Sequence, residues 1–75
     1  MLRSRNESEK AKALTYFILN TENFPGSYNA FDSLGEAYEV LGDKKKAIDN
    51  YAKSLDLNPM NEHARMKLLG LEKNE

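Results

Sequence analysis

Cysteine and tryptophan are absent from this 75-residue chain, and histidine occurs once, as His63. Without cysteine the chain can form neither a disulfide bond nor a thiolate metal site. His63 has no second histidine at helical spacing, so it lacks the partner that a histidine metal site requires. The sequence therefore predicts no metal and no cofactor, and it predicts that His63 is a surface or groove residue.

An excess of charge of either sign is also missing. The chain has 11 Lys and Arg residues and 12 Asp and Glu residues, which gives a net charge of −1. A chain this close to neutrality has no electrostatic field that would hold nucleic acid or an anionic membrane surface. Neither is therefore an expected partner.

Long hydrophobic runs are missing as well. The longest, residues 16–19, is far shorter than the roughly 20 apolar residues of a membrane-spanning helix. The opening MLRSRNESEK lacks the apolar core of a signal peptide. We expect a soluble protein, and the sequence assigns no compartment to it.

Carboxylates offer the one arrangement that resembles catalytic machinery. Asp32 and Glu36, or Glu36 and Glu39, lie four or three residues apart and share a face of a predicted helix. Neither pair comes with an apolar cleft or a third orienting group, which a catalytic carboxylate pair needs. We therefore expect no enzymatic activity.

The residues that are present follow a helical pattern. Apolar side chains recur at three- and four-residue steps in four stretches, which 2 prolines and 4 glycines separate. The predicted helices cover about residues 7–21, 28–41, 44–57 and 61–73. Gly42 is expected to end the second helix in the left-handed conformation, and Asp43 to cap the third. The short connections favour antiparallel neighbours, so residues 1–75 are expected to form one all-α domain of stacked helical hairpins.

Small and large apolar residues follow one another in residues 28–61 with the spacing of a 34-residue repeat. This unit resembles the tetratricopeptide repeat (TPR), with Phe31 in place of the usual Trp and Tyr51 in place of the usual Phe. Residues 7–21 look like the second half of a preceding repeat, and residues 62–73 like a degenerate first half or a capping helix. The resemblance implies a short right-handed solenoid. Its predicted structural core consists of Phe17, Phe31, Leu34, Gly35, Tyr38, Ala47, Tyr51, Leu55 and Pro59.

The TPR resemblance also implies a concave face that binds a peptide or a protein surface. The predicted groove residues are Asn29, Asp32, Glu36, Glu39, Val40, His63 and Met66. The carboxylates among them favour a basic or neutral partner. Some TPR domains hold an acidic C-terminal peptide with a clamp of Lys, Asn and Arg, but the matching positions here are Asn29, Asp32, Ser33 and Glu36, so we expect an acidic tail to be repelled. An ordinary solvated face without a ligand is the alternative.

The first predicted helix carries apolar side chains on more than one side. A helix packed on one core needs a single apolar stripe, and residues 16–19 exceed it. We expect Tyr16 and Ile18 to form an association surface, covered either by a helix upstream or by a second copy in a homodimer. A marginally stable monomer is the alternative.

Two functions are therefore expected as alternatives. The first is a non-catalytic protein interaction or scaffold module. The second comes from a further resemblance, across FPGSYNAFDSLGEAYEVLGDKKKAIDNYAKSLDLNP, to the short TPR segment that follows the catalytic domain in some bacterial serine hydrolases of the esterase and β-lactamase-like type. It implies a C-terminal accessory or oligomerisation domain of a larger hydrolase.

Overall fold

A computed structural model describes the backbone of residues 2–73 and the side chains of residues 9–73. The described chain forms four helices and no strand: α1 (Leu2–Asn23), α2 (Tyr28–Leu41), α3 (Lys44–Leu57) and α4 (Glu62–Lys73). The all-α prediction is confirmed. Residues 1, 74 and 75, which the expected single domain includes, lie outside the described part.

The helix bounds agree closely with those expected from the sequence, with one exception. The predicted second and third helices coincide with α2 and α3, and the fourth begins one residue later than expected. The expected start of the first helix, at residue 7, is wrong, because α1 begins at Leu2. Its first turns are rich in Arg and Glu, which have high helix propensity and extend the helix without an apolar pattern.

Side-chain and glycine caps set the ends of the middle helices. Ser27 accepts a hydrogen bond from the Ala30 N–H at 3.2 Å, which caps the start of α2. Gly42 ends α2 with φ 85°, a left-handed conformation that glycine adopts without a steric penalty. Asp43 then caps α3 by accepting from the Lys46 N–H at 3.2 Å. Both expectations for the α2–α3 turn are confirmed.

Each helix packs chiefly against its neighbours in the chain, in the order α1, α2, α3, α4. The backbone extends over 43 × 32 × 15 Å, so the fold is flat. Its core lies among α2, α3 and α4, where Ala47, Tyr51 and Ala64 have no exposed surface. The Tyr51 ring fits against Gly35 of α2, where an added Cβ would lie 3.0 Å from two ring carbons.

The predicted core residues differ in how deeply they are placed. Leu34, Gly35, Ala47 and Tyr51 are buried. The half-buried group comprises Phe17, Phe31, Tyr38 and Leu55. Pro59 is exposed in the turn after α3, where a residue without an N–H cannot continue the helix.

The α1–α2 and α3–α4 connections have equivalent hydrogen bonds, and the matching positions are 34 residues apart. The bond from the Phe24 N–H to the Asn20 carbonyl (2.9 Å) corresponds to the bond from Asn58 to Ser54 (2.9 Å). The bond from the Ser27 N–H to the Phe24 carbonyl (3.0 Å) likewise corresponds to the bond from Asn61 to Asn58 (3.0 Å). The ends of α1 and α3, and the starts of α2 and α4, are offset by the same period.

Candidate functional site

Side chains of α2 and α4 meet on one side of the molecule and form what we call the α2–α4 face, defined by Asp32, Glu36, Glu39, His63 and Lys67. The two helices come together there because α3 packs against both of them. On α2, three- and four-residue steps align the carboxylates along one side. On α4, His63 and Lys67 are one helical turn apart and oppose them.

Asp32 is the deepest member of this face and is fully engaged within the chain. Its carboxylate is 12% exposed. One oxygen lies 2.8 Å from Nδ1 of His63, and the other accepts a hydrogen bond from the Asn61 amide at 3.0 Å. The Asn61 amide also donates to Ser54 Oγ (2.9 Å), which in turn donates to the Tyr28 carbonyl (2.8 Å). A continuous hydrogen-bond network therefore joins α2, α3 and α4.

A second set of contacts fixes Glu39. Its Oε1 accepts a hydrogen bond from the Tyr51 hydroxyl at 2.9 Å and lies 3.3 Å from Nζ of Lys67. Burial of the Tyr51 ring, followed by its hydrogen bond to Glu39, raises the pKa of the phenol well above its usual value. Tyr51 therefore remains a neutral donor. Tyr51 of α3 and Lys67 of α4 together hold the Glu39 carboxylate in place.

The outer part of the face is open to solvent. Glu36 is 54% exposed and its Oε2 lies 3.4 Å from Nε2 of His63. An open depression of about 470 Å³ lies beside it, lined by Glu36, Glu39, Val40 and Lys67. Val40 is 71% exposed, so a large apolar side chain borders the charged ones. Such a surface offers carboxylate acceptors and an apolar contact together.

The structure brings some of the predicted groove residues together and leaves others apart. It unites Asp32, Glu36, Glu39 and His63, and Val40 shares the depression with the two glutamates. Met66 is 66% exposed on α4. Asn29 is exposed near the start of α2.

Sequence reasoning missed one member of this face, Lys67, and two residues that support it, Asn61 and Tyr51. Lys67 follows His63 by one helical turn, a spacing that could have signalled that both face α2. Asn61 follows the cap Ser27 by one repeat period, which marks it as a cap but not as a ligand of Asp32. Tyr51 is predicted only as a core residue, and nothing in the sequence shows the contact of its hydroxyl with Glu39.

The charges of the α2–α4 face do not cancel. Its three carboxylates are opposed by the ammonium of Lys67 and, when protonated, by the imidazole of His63. The face remains net negative in either state of His63. In the described part of the chain, no group of three or more His, Asp or Glu residues is arranged to hold a metal ion.

A second surface, which we call the α1–α2 hollow, is almost wholly apolar. It encloses about 170 Å³ between α1 and α2. Its lining consists of Lys10, Ala13, Leu14, Phe17, Ala37, Val40 and Leu41. Of the predicted association residues, Tyr16 is 63% exposed beside this lining, with its ring edge-on to Phe17, and Ile18 is half-buried.

Comparison with protein-family models and with curated proteins found no match to the chain. Among the described residues, no helix is both long enough and apolar enough to cross a membrane.

Proposed function

We propose that the chain is a TPR-like, non-catalytic interaction module that binds a peptide or protein segment on the α2–α4 face. The observation that carries this proposal is the convergence of Glu36, Glu39 and Val40 around one open depression on a rigid helical support. The periodic correspondence of the two interhelical turns supports the repeat architecture. The depression beside the carboxylates is open to solvent, which favours binding over catalysis.

The chemistry of the face favours a partner with a basic side chain next to an apolar one. Glu36 is half-exposed and its Oε2 lies 3.4 Å from the His63 ring, so a Lys or Arg of the ligand can reach it. Glu39 is already oriented by Tyr51 and presents a preformed acceptor. Val40 supplies apolar contact within the same depression. A partner rich in carboxylates meets a net negative surface and is disfavoured.

Asp32 has a supporting role in this proposal. Its oxygens are occupied by His63 and Asn61, and it thereby fixes the position of α4 beside α2. A direct contact between Asp32 and a ligand, and contacts from Asn29 and Met66, stay predictions from the sequence.

Selection from a peptide display library, followed by fluorescence anisotropy of the enriched peptides, tests the proposal. We expect enrichment of sequences with Lys or Arg beside an apolar residue, and weaker binding as salt is raised. The double variant Glu36→Gln, Glu39→Gln should bind the selected peptides at least tenfold more weakly. Glu22→Gln, which neutralises an exposed carboxylate on α1, is the matched control and should bind normally.

Two results would overturn the proposal. One is enrichment of acidic peptides, which the surface charge disfavours. The other is equal affinity of the double variant and the parent, which would place binding elsewhere.

The second function expected from the sequence, an accessory or oligomerisation domain of a larger bacterial hydrolase, draws support from a different observation. The α1–α2 hollow is an uncovered apolar surface of the kind that packs against another domain or subunit. The sequence upstream in the parent gene tests this alternative. A serine-hydrolase nucleophile motif there would favour it, and further repeats of the same period would favour a longer scaffold.

A further inference from the structure

The packing of α2 on α3 provides a reference for the α1–α2 hollow. In that pair, Ala47 and Tyr51 of α3 are fully covered by neighbouring helices, and Gly35 of α2 meets the Tyr51 ring. Ala13 and Phe17 occupy the corresponding places on α1, one repeat period earlier, and line the hollow. Within residues 2–73, no helix packs on Ala13 and Phe17 in the way that α2 packs on Ala47 and Tyr51. The hollow is therefore the place where a helix equivalent to α2 is missing.

The helix α4 is the equivalent of α2 by the same periodic correspondence. Its cap Asn61 matches Ser27, and the buried Ala64 matches the buried Ala30. Leu69 of α4 lies at the position that corresponds to Gly35, the α2 residue that faces α3. Leu69 is 56% exposed. Within the described chain no helix covers α4 on that side. The hollow at one end of the molecule therefore lacks a covering helix, and the other end exposes α4, a helix of the type that is lacking.

We propose that copies of this chain associate head to tail, with α4 of one copy seated in the α1–α2 hollow of the next. This inference goes beyond peptide binding on the α2–α4 face. Of the residues that line the hollow, Val40 also borders the depression on that face. The contact repeats the way in which α2 packs on α3. Leu69 takes the place of Gly35 and contacts Phe17, so the two helices lie farther apart than α2 and α3 do.

The size of the hollow fits this occupant. A dry apolar cavity of about 150 Å³ holds a benzene molecule. The hollow encloses about 170 Å³, which accommodates one large aliphatic side chain such as Leu69. Apolar atoms dominate its lining, and covering them removes that surface from water.

Charge complementarity specifies α4 as the partner helix. Within the chain, Nζ of Lys46 on α3 lies 5.6 Å from the ring centre of Tyr38 on α2. The corresponding residues are Lys12 on α1 and Glu72 on α4, both exposed. Seated in the hollow, α4 therefore brings a carboxylate to the ammonium of the next copy, and an ion pair replaces the cation–π contact.

A contact of this kind joins two different surfaces, so it is heterologous. Heterologous contacts form a ring if the rotation closes and an open chain of subunits if it does not. An open assembly of any length keeps one free hollow at one end and one free α4 at the other. The mass should consequently rise with concentration and should not stop at a dimer.

A complementation experiment tests the proposal by analytical ultracentrifugation. Ala13→Glu places a carboxylate in the hollow, and Leu69→Glu places one on the exposed side of α4. Each variant alone should remain at monomer mass where the parent associates. Mixed together, they retain one intact hollow and one intact α4, so they should form a 1:1 dimer that grows no further. Ala11→Glu, on α1 but outside the hollow, is the matched control and should associate like the parent.

Charge reversal at exposed residues gives an independent test of the association, because such substitutions leave the fold intact. Lys12→Glu or Glu72→Lys should weaken association two- to fivefold, and the double reversal should restore it. Circular dichroism melts confirm that each variant is folded.

Three outcomes would overturn the inference. The first is a parent chain that stays monomeric at every concentration. The second is a dimer that Ala13→Glu leaves intact and Tyr16→Glu dissociates, because that dimer would be built on Tyr16. The third is a mixture of Ala13→Glu and Leu69→Glu that stays monomeric. Peptide binding by Ala13→Glu measures the α2–α4 face separately, so failure of one proposal leaves the other assessable.

Discussion

At the scale of the residue, Tyr51 connects the core to the α2–α4 face. Its ring has no exposed surface and rests against Gly35, and its hydroxyl donates to Glu39. A buried phenol that donates to a carboxylate is strongly disfavoured as phenolate. The same residue thus fills space and orients an acceptor of the proposed binding site.

Titration of Tyr51 gives a prediction with a definite sign. Its pKa is raised in the folded protein, so the unfolded chain releases this proton first, above about pH 10. The associated stability is complete below that pH and is lost as the pH rises. From about pH 10 upward, this group should lower the free energy of unfolding by about 1.4 kcal/mol for each pH unit. Urea unfolding followed by circular dichroism at about pH 8 to 11 measures it.

Two variants isolate the contribution of Tyr51 to this slope. Tyr51→Phe should show a shallower fall in stability with pH than the parent. Tyr16→Phe removes an exposed phenol that lies outside the contact with Glu39, and it serves as the control variant. Equal slopes in the parent and Tyr51→Phe would contradict the assigned role of burial.

At the scale of the element, the close approach of α2 and α3 depends on Gly35. A Cβ at this position would lie 3.0 Å from Cδ1 and Cε1 of Tyr51. The ring cannot move aside freely, because it is fully buried and its hydroxyl is held by Glu39. We expect Gly35→Ala to be destabilising by about 1 to 3 kcal/mol from overpacking, partly offset by about 1 kcal/mol of helix propensity.

Gly70 in α4 provides the matched control for Gly35. It also lies inside a helix, but nothing stands within 4 Å of its added Cβ. Gly70→Ala should therefore stabilise the protein by about 0.5 to 1 kcal/mol. Thermal melts of the two variants should shift in opposite directions, and an upward shift for Gly35→Ala would show that α2 and α3 can separate without cost.

The elements were largely predictable from the sequence because local signals determine them. The left-handed Gly42 and the cap Asp43 fix where α2 ends and α3 begins, and both are visible in the residue types. The start of α1 was not predictable by the same means, since its first turns carry no apolar pattern.

The candidate site was predictable only in part. Periodicity places Glu36 and Glu39 on one face of α2, and the structure keeps them together. The ion-pair partners of those carboxylates come from α4. The sequence pattern of α4 does not determine how this helix is rotated about its axis. The contacts of His63 with Asp32 and of Lys67 with Glu39 therefore had to be seen in three dimensions.

At the scale of the whole molecule, stability depends on a thin core. A chain of 75 residues has a free energy of unfolding of about 4 to 11 kcal/mol. The fold is flat, and few of the described apolar side chains are fully buried. α2 packs against both α1 and α3, and its loss would separate the first helix from the rest.

Leu34→Ala tests this dependence. Leu34 is 5% exposed on α2, and truncating a buried Leu costs about 2 to 5 kcal/mol. We expect the variant to lose its cooperative thermal transition, as measured by far-ultraviolet circular dichroism. Val40→Ala, on the same helix but 71% exposed, should melt within a few degrees of the parent. A Leu34→Ala variant that melts as the parent does would show that the core does not depend on this contact.

The order in which the helices pack has a consequence for how quickly the chain finds its fold. Since each helix packs chiefly against the next one along the chain, the turns that must close are short, and the two ends of the chain need not meet. Loop-closure entropy is small for such connections, and proteins dominated by local contacts cross their folding barrier in microseconds to milliseconds. A thin core therefore goes together with rapid refolding, which returns a transiently opened molecule to its native state before its apolar surfaces meet those of another chain.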